Sequence, residues 1–320
     1  MTTTNASVLF TPMMEADRFL PEGPRAIGDG LMWVNIQAGA DAEVGTIHTL
    51  TWDGRHAAHA APARPGFVFP TARPNVVLAG CDKVIGLFDL SSDEWTPLAA
   101  IPDTNPRTVI NDGEIVPGGR AIVFGTKDLK FADRIGHLYL FTLDDNQLTV
   151  LADGQTCSNG KVFSDVGSTL YDIDTPRKVV TKYRLDVPNR TLTEDGIALD
   201  LRHRDDFPDG MCDAGEGTVI VAFYNPKFVE VGRAVRYRLG TGEILGEWLT
   251  PGSPRVTCPL LVQRPDGVKL VLTTADEGMV PAMRAKCPNA GCVFLADTDL
   301  QSVPQVEVVW VPGEPSLRIG

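Results

Sequence analysis

Apolar residues in this chain fall into short runs rich in β-branched and aromatic side chains, and turn residues separate the runs. Helix signals are scarce, because 31 glycines and 24 prolines are scattered through all 320 residues and break long helices. The runs come in six pairs: LMWVNI with TIHTLTW, NVVLAG with KVIGLFDL, RAIVFGT with HLYLFTL, TLYDID with VVTKYRLD, TVIVAF with AVRYRLG, and VKLVLTT with CVFLAD. Each pair reads as two consecutive β-strands.

The even spacing of the pairs predicts the fold. Their first strands begin near residues 31, 76, 120, 169, 218 and 268, so the repeat is 44–50 residues long. A repeat of about this length with several short strands is typical of a β-propeller blade, whereas the strands of an irregular β-sandwich would not keep such spacing. We therefore predict an all-β fold, a six-bladed β-propeller that forms one domain over residues 1–320. We expect the N-terminal run ASVLF to pair with the C-terminal run VEVVWVP and close the ring.

Side-chain oxygens recur at one fixed place in the repeat. Counting back eight residues from the glycine just before the first strand gives a carboxylate or an amide in four blades: Glu22 from Gly30, Asn111 from Gly119, Asn159 from Gly167 and Asp209 from Gly217. The same offset gives Phe67 in blade two and Pro259 in blade six, which offer no side-chain oxygen. The alternative is that Asn-Gly and Asp-Gly pairs only form turns. That alternative explains neither the matched offsets nor the glutamate.

Equivalent positions on the innermost strands of a propeller point at one another across the axis, so we expect these four side chains to converge in a central channel. Two carboxylates and two amide carbonyls form an all-oxygen site with a formal charge of about −2, which suits a hard divalent cation such as Ca²⁺. Mg²⁺ or Mn²⁺ is also chemically reasonable, and Zn²⁺ is less so without His or Cys ligands. A cation with open positions can polarise a carbonyl or phosphoryl oxygen and activate water. Asp209 is our candidate for the proton acceptor.

Other polar residues near this site are candidates for holding a substrate. Arg107, Lys127 and Asp128 lie beside the third-blade strand and could bind a hydroxyl or a carboxylate, or could be exposed surface charges. His203 stands six residues before Asp209, on a segment that could reach the mouth of the channel.

Charge and hydropathy narrow the possible partners. The formal net charge is −12 and no basic run occurs, which argues against nucleic acid as a partner. No apolar run approaches the ~18 residues of a membrane helix. The N-terminal sequence MTTTNASVLFTPMMEADRF lacks the basic start and long apolar block of a secretory signal, so we expect a cytoplasmic protein that acts on a small molecule. Nothing in the sequence indicates the oligomeric state.

Four motifs in order along the chain resemble the SMP-30/gluconolactonase/luciferin-regenerating-enzyme family. They are PEGP near the start, NDG before the third blade, NGKVFSD before the fourth and PDGMCDAGEG before the fifth. The resemblance spans roughly residues 15–300 and implies a six-bladed propeller with one divalent cation in its channel. It implies Glu22, Asn159 and Asp209 as metal ligands, and Asn111 as a ligand that binds directly or through water. It also implies hydrolysis of a sugar lactone to an aldonic acid, with Asp209 as the base.

Two departures from the family pattern bear on the substrate. Family members often have Trp soon after the Glu-Gly-Pro, where this chain has Arg25 and Ala26. Many sugar lactonases place an arginine that holds sugar hydroxyls two residues before the Asn of NDG. This chain has Val109 there, and Arg107 is the nearest arginine. We therefore predict a metal-dependent lactonase, an esterase-type hydrolase, whose substrate is either sugar-like or less polar than an aldonolactone. The alternatives are a phosphotriesterase-like hydrolase at the same site and a non-catalytic calcium-binding propeller.

Overall fold

A computed structural model describes residues 2–304 and 308–310 of the chain. These residues form six sheets, five with four strands and one with five, arranged as a six-bladed β-propeller. Each innermost strand contacts the innermost strands of both neighbouring blades, and that of blade six contacts that of blade one. The fold class predicted from the strand repeat is therefore confirmed.

Each blade is an antiparallel sheet that runs outward from the axis. The inner strands are Pro21–Ile27, Pro65–Pro70, Thr108–Ile115, Ser158–Ser164, Phe207–Asp213 and Val256–Arg264. The second strands are Gly30–Asn35, Val76–Cys81, Ala121–Asp128, Thr169–Asp174, Thr218–Tyr224 and Gly267–Thr274. The third strands are Thr46–Thr51, Val84–Asp89, Gly136–Thr142, Val179–Asp186, Val231–Arg238 and Val293–Asp297. The outer strands are His56–Ala60, Glu94–Ala100, Gln147–Gln155, Thr191–Asp200, Ile244–Pro251 and, in blade six, Ser7–Phe10.

The six pairs read from the sequence are the second and third strands of the blades. These strands are sandwiched between neighbouring blades, so they read as continuous apolar runs; all six residues of Gly30–Asn35, for example, are buried. The inner strand that precedes each pair is richer in Gly, Pro and polar residues. The repeated polar motif is therefore part of the inner strand.

The N-terminal segment closes the ring, but its partner differs from the one predicted. Ser7–Phe10 pairs antiparallel with Val293–Asp297, because blade six contributes only three strands of its own and leaves that edge open. The predicted pairing with VEVVWVP is wrong. Within that run, the Val309 N–H donates to the Pro70 carbonyl at 2.9 Å in blade two. Residues 306, 307, 311 and 312 of the run lie outside the described part of the chain. Thr2–Asn5 adds a parallel strand outside Ile244–Pro251.

In the described part of the chain the helices are short: three 3₁₀ turns at Glu15–Arg18, Asp165–Gly167 and Thr175–Arg177, and one α-helical turn at Pro281–Arg284. Among the described residues, no helix is long and apolar enough to cross a membrane.

Candidate metal centre

Every inner strand contains one extra residue relative to its second strand. The resulting β-bulges lie at Glu22/Arg25, Pro65/Phe67, Ile110/Gly113, Asn159/Lys161, Pro208/Met211 and Val256/Pro259. A bulge breaks the alternation of a strand and can re-aim a side chain. Because every inner strand has this bulge, a side chain can be turned toward the axis at the equivalent position of each blade.

The four predicted ligands all lie at these bulges and line one cavity of about 360 Å³. Each is almost fully buried: Glu22 is 7% exposed, Asn111 4%, Asn159 5% and Asp209 7%. The structure therefore brings together the oxygens that the offset singled out.

A glycine follows three of these candidate ligands, and at two of these positions it allows neighbouring inner strands to pack closely. A Cβ on Gly160 would come within 2.6 Å of Met211 in the next inner strand, and a Cβ on Gly210 within 2.6 Å of Cys258 in the one after. Gly23 adopts φ +54°, and its N–H donates to the Glu22 carboxylate at 2.8 Å. The glycines let the inner strands approach closely enough for their oxygens to share one cavity.

The eight-residue offset misplaced the equivalent positions in blades two and six. Phe67 and Pro259 follow the bulges there instead of lying inside them. The bulge of blade six holds Thr257, whose hydroxyl donates to the Pro21 carbonyl at 2.6 Å, and that of blade two holds Gly66. Neither of these two bulges contributes a residue to the cavity lining.

The two amide side chains are held with their nitrogens occupied. Asn111 Nδ2 donates to Asn159 Oδ1 at 3.0 Å and to the Ser158 carbonyl at 2.8 Å. Asn159 Nδ2 donates to Thr175 Oγ1 at 2.8 Å. Each amide oxygen has two lone pairs, so Asn159 Oδ1 keeps one after accepting from Asn111. The groups left for an electropositive ligand are therefore the amide oxygens.

The ionised forms of the two carboxylates, Glu22 and Asp209, are electrostatically unfavourable in this cavity. Burial, and then repulsion from Asp112, raises the pKa of Glu22 to about 8, although the Gly23 N–H and Lys127 act in the opposite direction. Burial, followed by repulsion from Glu22 and Asp112, holds the pKa of Asp209 well above its ordinary value. Buried like charges of this kind are relieved by a cation. The electrostatics and the all-oxygen donor set therefore both fit a divalent ion.

A cation at this site would need the amides as well as the carboxylates. Among residues 2–304 and 308–310, no three His, Cys, Asp or Glu side chains cluster in a way that could hold a metal ion. A cation here would therefore depend on the mixed donor set predicted from the sequence, which is Glu22, Asp209 and Asn159 with Asn111 beside Asn159.

The remaining candidates separate into two residues that line the cavity and two that do not. Lys127 lines the cavity and its charge acts on both Glu22 and Asp209. Asp128 also lines it, but its carboxylate is fully buried and bound to Arg107, at 3.1 Å between Arg107 Nε and Asp128 Oδ1. Arg107 and the exposed His203 lie outside the residues that line the cavity.

The site also includes groups that sequence reasoning missed. Glu277 lines the cavity, accepts a hydrogen bond of 3.2 Å from the Tyr224 hydroxyl, and repels Glu22 and Asp209. It follows the second strand of blade six, just as Lys127 and Asp128 end that of blade three. Acidic residues directly after a second strand were the available signal. Asp112 was hidden because the offset pointed to its neighbour Asn111.

Comparison with known proteins places these features in context. The model of the SMP-30/Gluconolactonase/LRE-like region matches residues 20–276. An uncharacterized protein of Sulfolobus acidocaldarius is 28% identical over 284 residues, which are 89% of this chain and 94% of that protein. A putative sugar lactone lactonase of Rhizobium meliloti is 28% identical over 88% of this chain and 91% of its own length. A crystal structure from Agrobacterium tumefaciens, described as a calcium-binding protein, regucalcin, superposes with a TM-score of 0.80 at 24% identity and covers 96% of this chain and 100% of its own.

Proposed function

The chain belongs to the SMP-30/gluconolactonase/LRE-like family, and we propose that it is a divalent-cation-dependent hydrolase that opens a lactone to a hydroxy acid. One observation carries the proposal: Glu22 and Asp209, two buried carboxylates, face the same cavity as the amides of Asn111 and Asn159. The similarity to a putative sugar lactone lactonase supports the reaction class. The donor chemistry supports Ca²⁺ first, and Mg²⁺ or Mn²⁺ after it.

The residues would share the work as follows. Glu22, Asp209 and Asn159 would hold the cation directly, and Asn111 would fix Asn159 and contribute directly or through water. The cation would polarise the ring carbonyl and acidify water. Asp209 accepts a proton from the attacking water as the water oxygen bonds to the carbonyl carbon. When the ring C–O bond breaks, that proton passes to the departing oxygen, which becomes the hydroxyl of the product.

Lys127 is the cavity residue best suited to bind substrate. It faces the two carboxylates and favours their ionised forms, which Asp209 needs in order to act as a base. Its ammonium group can also donate to the departing oxygen or to the carboxylate of the product. We propose that Arg107 and Asp128 act indirectly, by shaping the cavity wall.

A pH-indicator screen tests the proposal. Purified protein is assayed against lactones, aryl esters and phosphotriesters, with EDTA and after Ca²⁺, Mg²⁺ or Mn²⁺ is restored. We expect lactone turnover that EDTA abolishes and one cation restores. Turnover of phosphotriesters alone would reassign the reaction, and cation binding without any turnover would identify a non-catalytic cation-binding propeller.

The role of Asp209 needs a variant that keeps the site intact. In Asp209→Asn we expect at least a 100-fold loss of turnover, because general-base catalysis contributes about 10²–10⁴-fold. Cation binding, measured by calorimetry, shows whether the site survives. Asp205→Asn, at an exposed carboxylate outside the cavity lining, is the matched control. Full activity of Asp209→Asn would exclude the assignment.

A further inference from the structure

The loop that follows the second strand of blade three is rigidly built around one carboxylate. Asp128 Oδ1 accepts from the Lys130 N–H at 3.0 Å, and Oδ2 accepts from the N–H groups of Ala132 at 3.1 Å and Asp133 at 2.9 Å. Although burial acts against ionisation, the bonds from Arg107 and from this backbone hold the pKa of Asp128 well below its usual range. The ionised Asp128 carboxylate thus fixes the loop, and both of its oxygens already accept hydrogen bonds.

What this loop presents to the cavity is apolar. Leu129 and Phe131 both line the cavity and are 38% and 46% exposed. Phe131 adopts φ +54°, a left-handed conformation that bulky residues rarely take. Such conformations persist only where the surroundings enforce them, and they are frequent at ligand-binding positions. The hydrogen bonds to Asp128 therefore hold the loop in the conformation that presents the Phe131 ring to the cavity.

The apolar surface continues around the opening. Phe207 and Pro226 also line the cavity. The loops between second and third strands in blades one, five and six, which end at the same face as the cavity, carry the exposed side chains Val44, Phe228 and Val280. Large apolar groups around one polar centre are unusual on a protein surface and indicate a binding surface.

We propose that the Leu129–Phe131 segment is a subsite for the apolar substituent of the substrate, so that the enzyme prefers alkyl- or aryl-substituted lactones over polyhydroxylated ones. This inference rests on the proposed function for the lactone ring as the reacting group. The evidence for the subsite itself is that Leu129 and Phe131 line the cavity. Leu129 and Phe131 line the same cavity as the candidate ligands, so a substituent on a lactone bound in this cavity can contact them.

A series of non-hydrolysable γ-lactams tests the subsite without catalysis. Lactams with methyl, propyl and pentyl groups on the ring carbon are titrated into the cation-loaded protein by calorimetry. Burial of each added methylene is expected to lower the Kd by up to about fourfold. In Phe131→Ser, and separately in Leu129→Ser, we expect this dependence on chain length to flatten to less than twofold per methylene.

Val166→Ser is the matched control, because Val166 also has φ +52° and is 96% exposed, but lies outside the cavity lining. It should keep the wild-type dependence. A wild-type Kd that is independent of chain length, tighter binding of a hydroxylated lactam, or an undiminished dependence in both loop variants would overturn the subsite. Absence of lactone turnover together with a steep lactam series would instead refute the proposed reaction and leave the subsite standing.

Discussion

A buried ion pair behind Asn159 makes a quantitative prediction. The Lys161 side chain has no exposed surface, and its Nζ lies 3.2 Å from Asp172 Oδ1. The same ammonium donates to Ser158 Oγ at 2.9 Å and to the Asn159 carbonyl at 2.8 Å. Lys161→Met would leave the Asp172 charge buried and unpaired, which costs about 3–5 kcal/mol of stability. Burial already raises the pKa of Asp172 to about 6 against the effect of Lys161, so loss of the ammonium should raise this pKa further.

The double variant Lys161→Met/Asp172→Leu separates charge from packing. Replacing both members of a buried pair by apolar groups is often neutral, or stabilising by about 1–4 kcal/mol. We therefore expect it to unfold in urea near the wild-type midpoint, whereas Lys161→Met unfolds much earlier. The double variant still lacks the donor to the Asn159 carbonyl, so we expect its Ca²⁺ affinity to fall by about 10–100-fold, as for other residues that orient metal ligands.

Urea unfolding of the wild type, both single variants and the double variant, followed by tryptophan fluorescence at neutral pH, gives the coupling energy. Calorimetric Ca²⁺ titration of the double variant gives the orientation effect. If Lys161→Met unfolds at the wild-type midpoint, the ammonium is not holding a buried charge. If the double variant is as unstable as the single one, then packing and not electrostatics accounts for the loss.

Three further predictions follow from the electrostatics. Burial and then the neighbouring His56 lower the pKa of His48 to about 3, below its unfolded value of 6.5. The free energy of unfolding should therefore fall by up to ~1.4 kcal/mol per pH unit as the pH drops below about 6.5. In urea titrations at several pH values, His48→Gln should flatten this slope. Ca²⁺ at about 100 times its Kd should stabilise the protein by ~2.7 kcal/mol, and a calorimetric melt should show that EDTA removes this gain, while Glu22→Gln should abolish it at the same concentration. Asp128→Ala should leave three backbone N–H groups without their acceptor and remove one of the two carboxylates that bind Arg107, so proteolytic cleavage within residues 129–133 should be faster than in the wild type. Cleavage at the wild-type rate would contradict the anchoring role.

The sequence revealed the strands whose burial is uniform and missed those whose chemistry is mixed. Gly30–Asn35 is buried on both faces, so this strand can be recognised in the sequence as an apolar run. Ser158–Ser164 contains a bulge, the candidate ligand Asn159 and the ion-paired Lys161, so its sequence resembles that of a turn. The candidate ligands stood out because each lies at the same offset in the repeat, whereas Glu277 follows the second strand of blade six and lies outside that offset. Sequence alone also could not show that Arg107 and Asp128 bind each other, since that depends on which charges the fold brings into contact.

The burial of these four side chains favours a binding site over a motif that only forms turns. Turn residues lie at exposed hairpin tips, where water satisfies their side chains. Glu22, Asn111, Asn159 and Asp209 instead lie within strands at 4–7% exposure, and the pKa values of the two carboxylates are raised by burial and then by repulsion from nearby carboxylates. Burying like charges lowers stability, so a fold retains them where they serve binding or catalysis. Because the adjacent glycines bring the inner strands close, the same short motif supplies both the packing and the unfavourable charge that a divalent cation would offset.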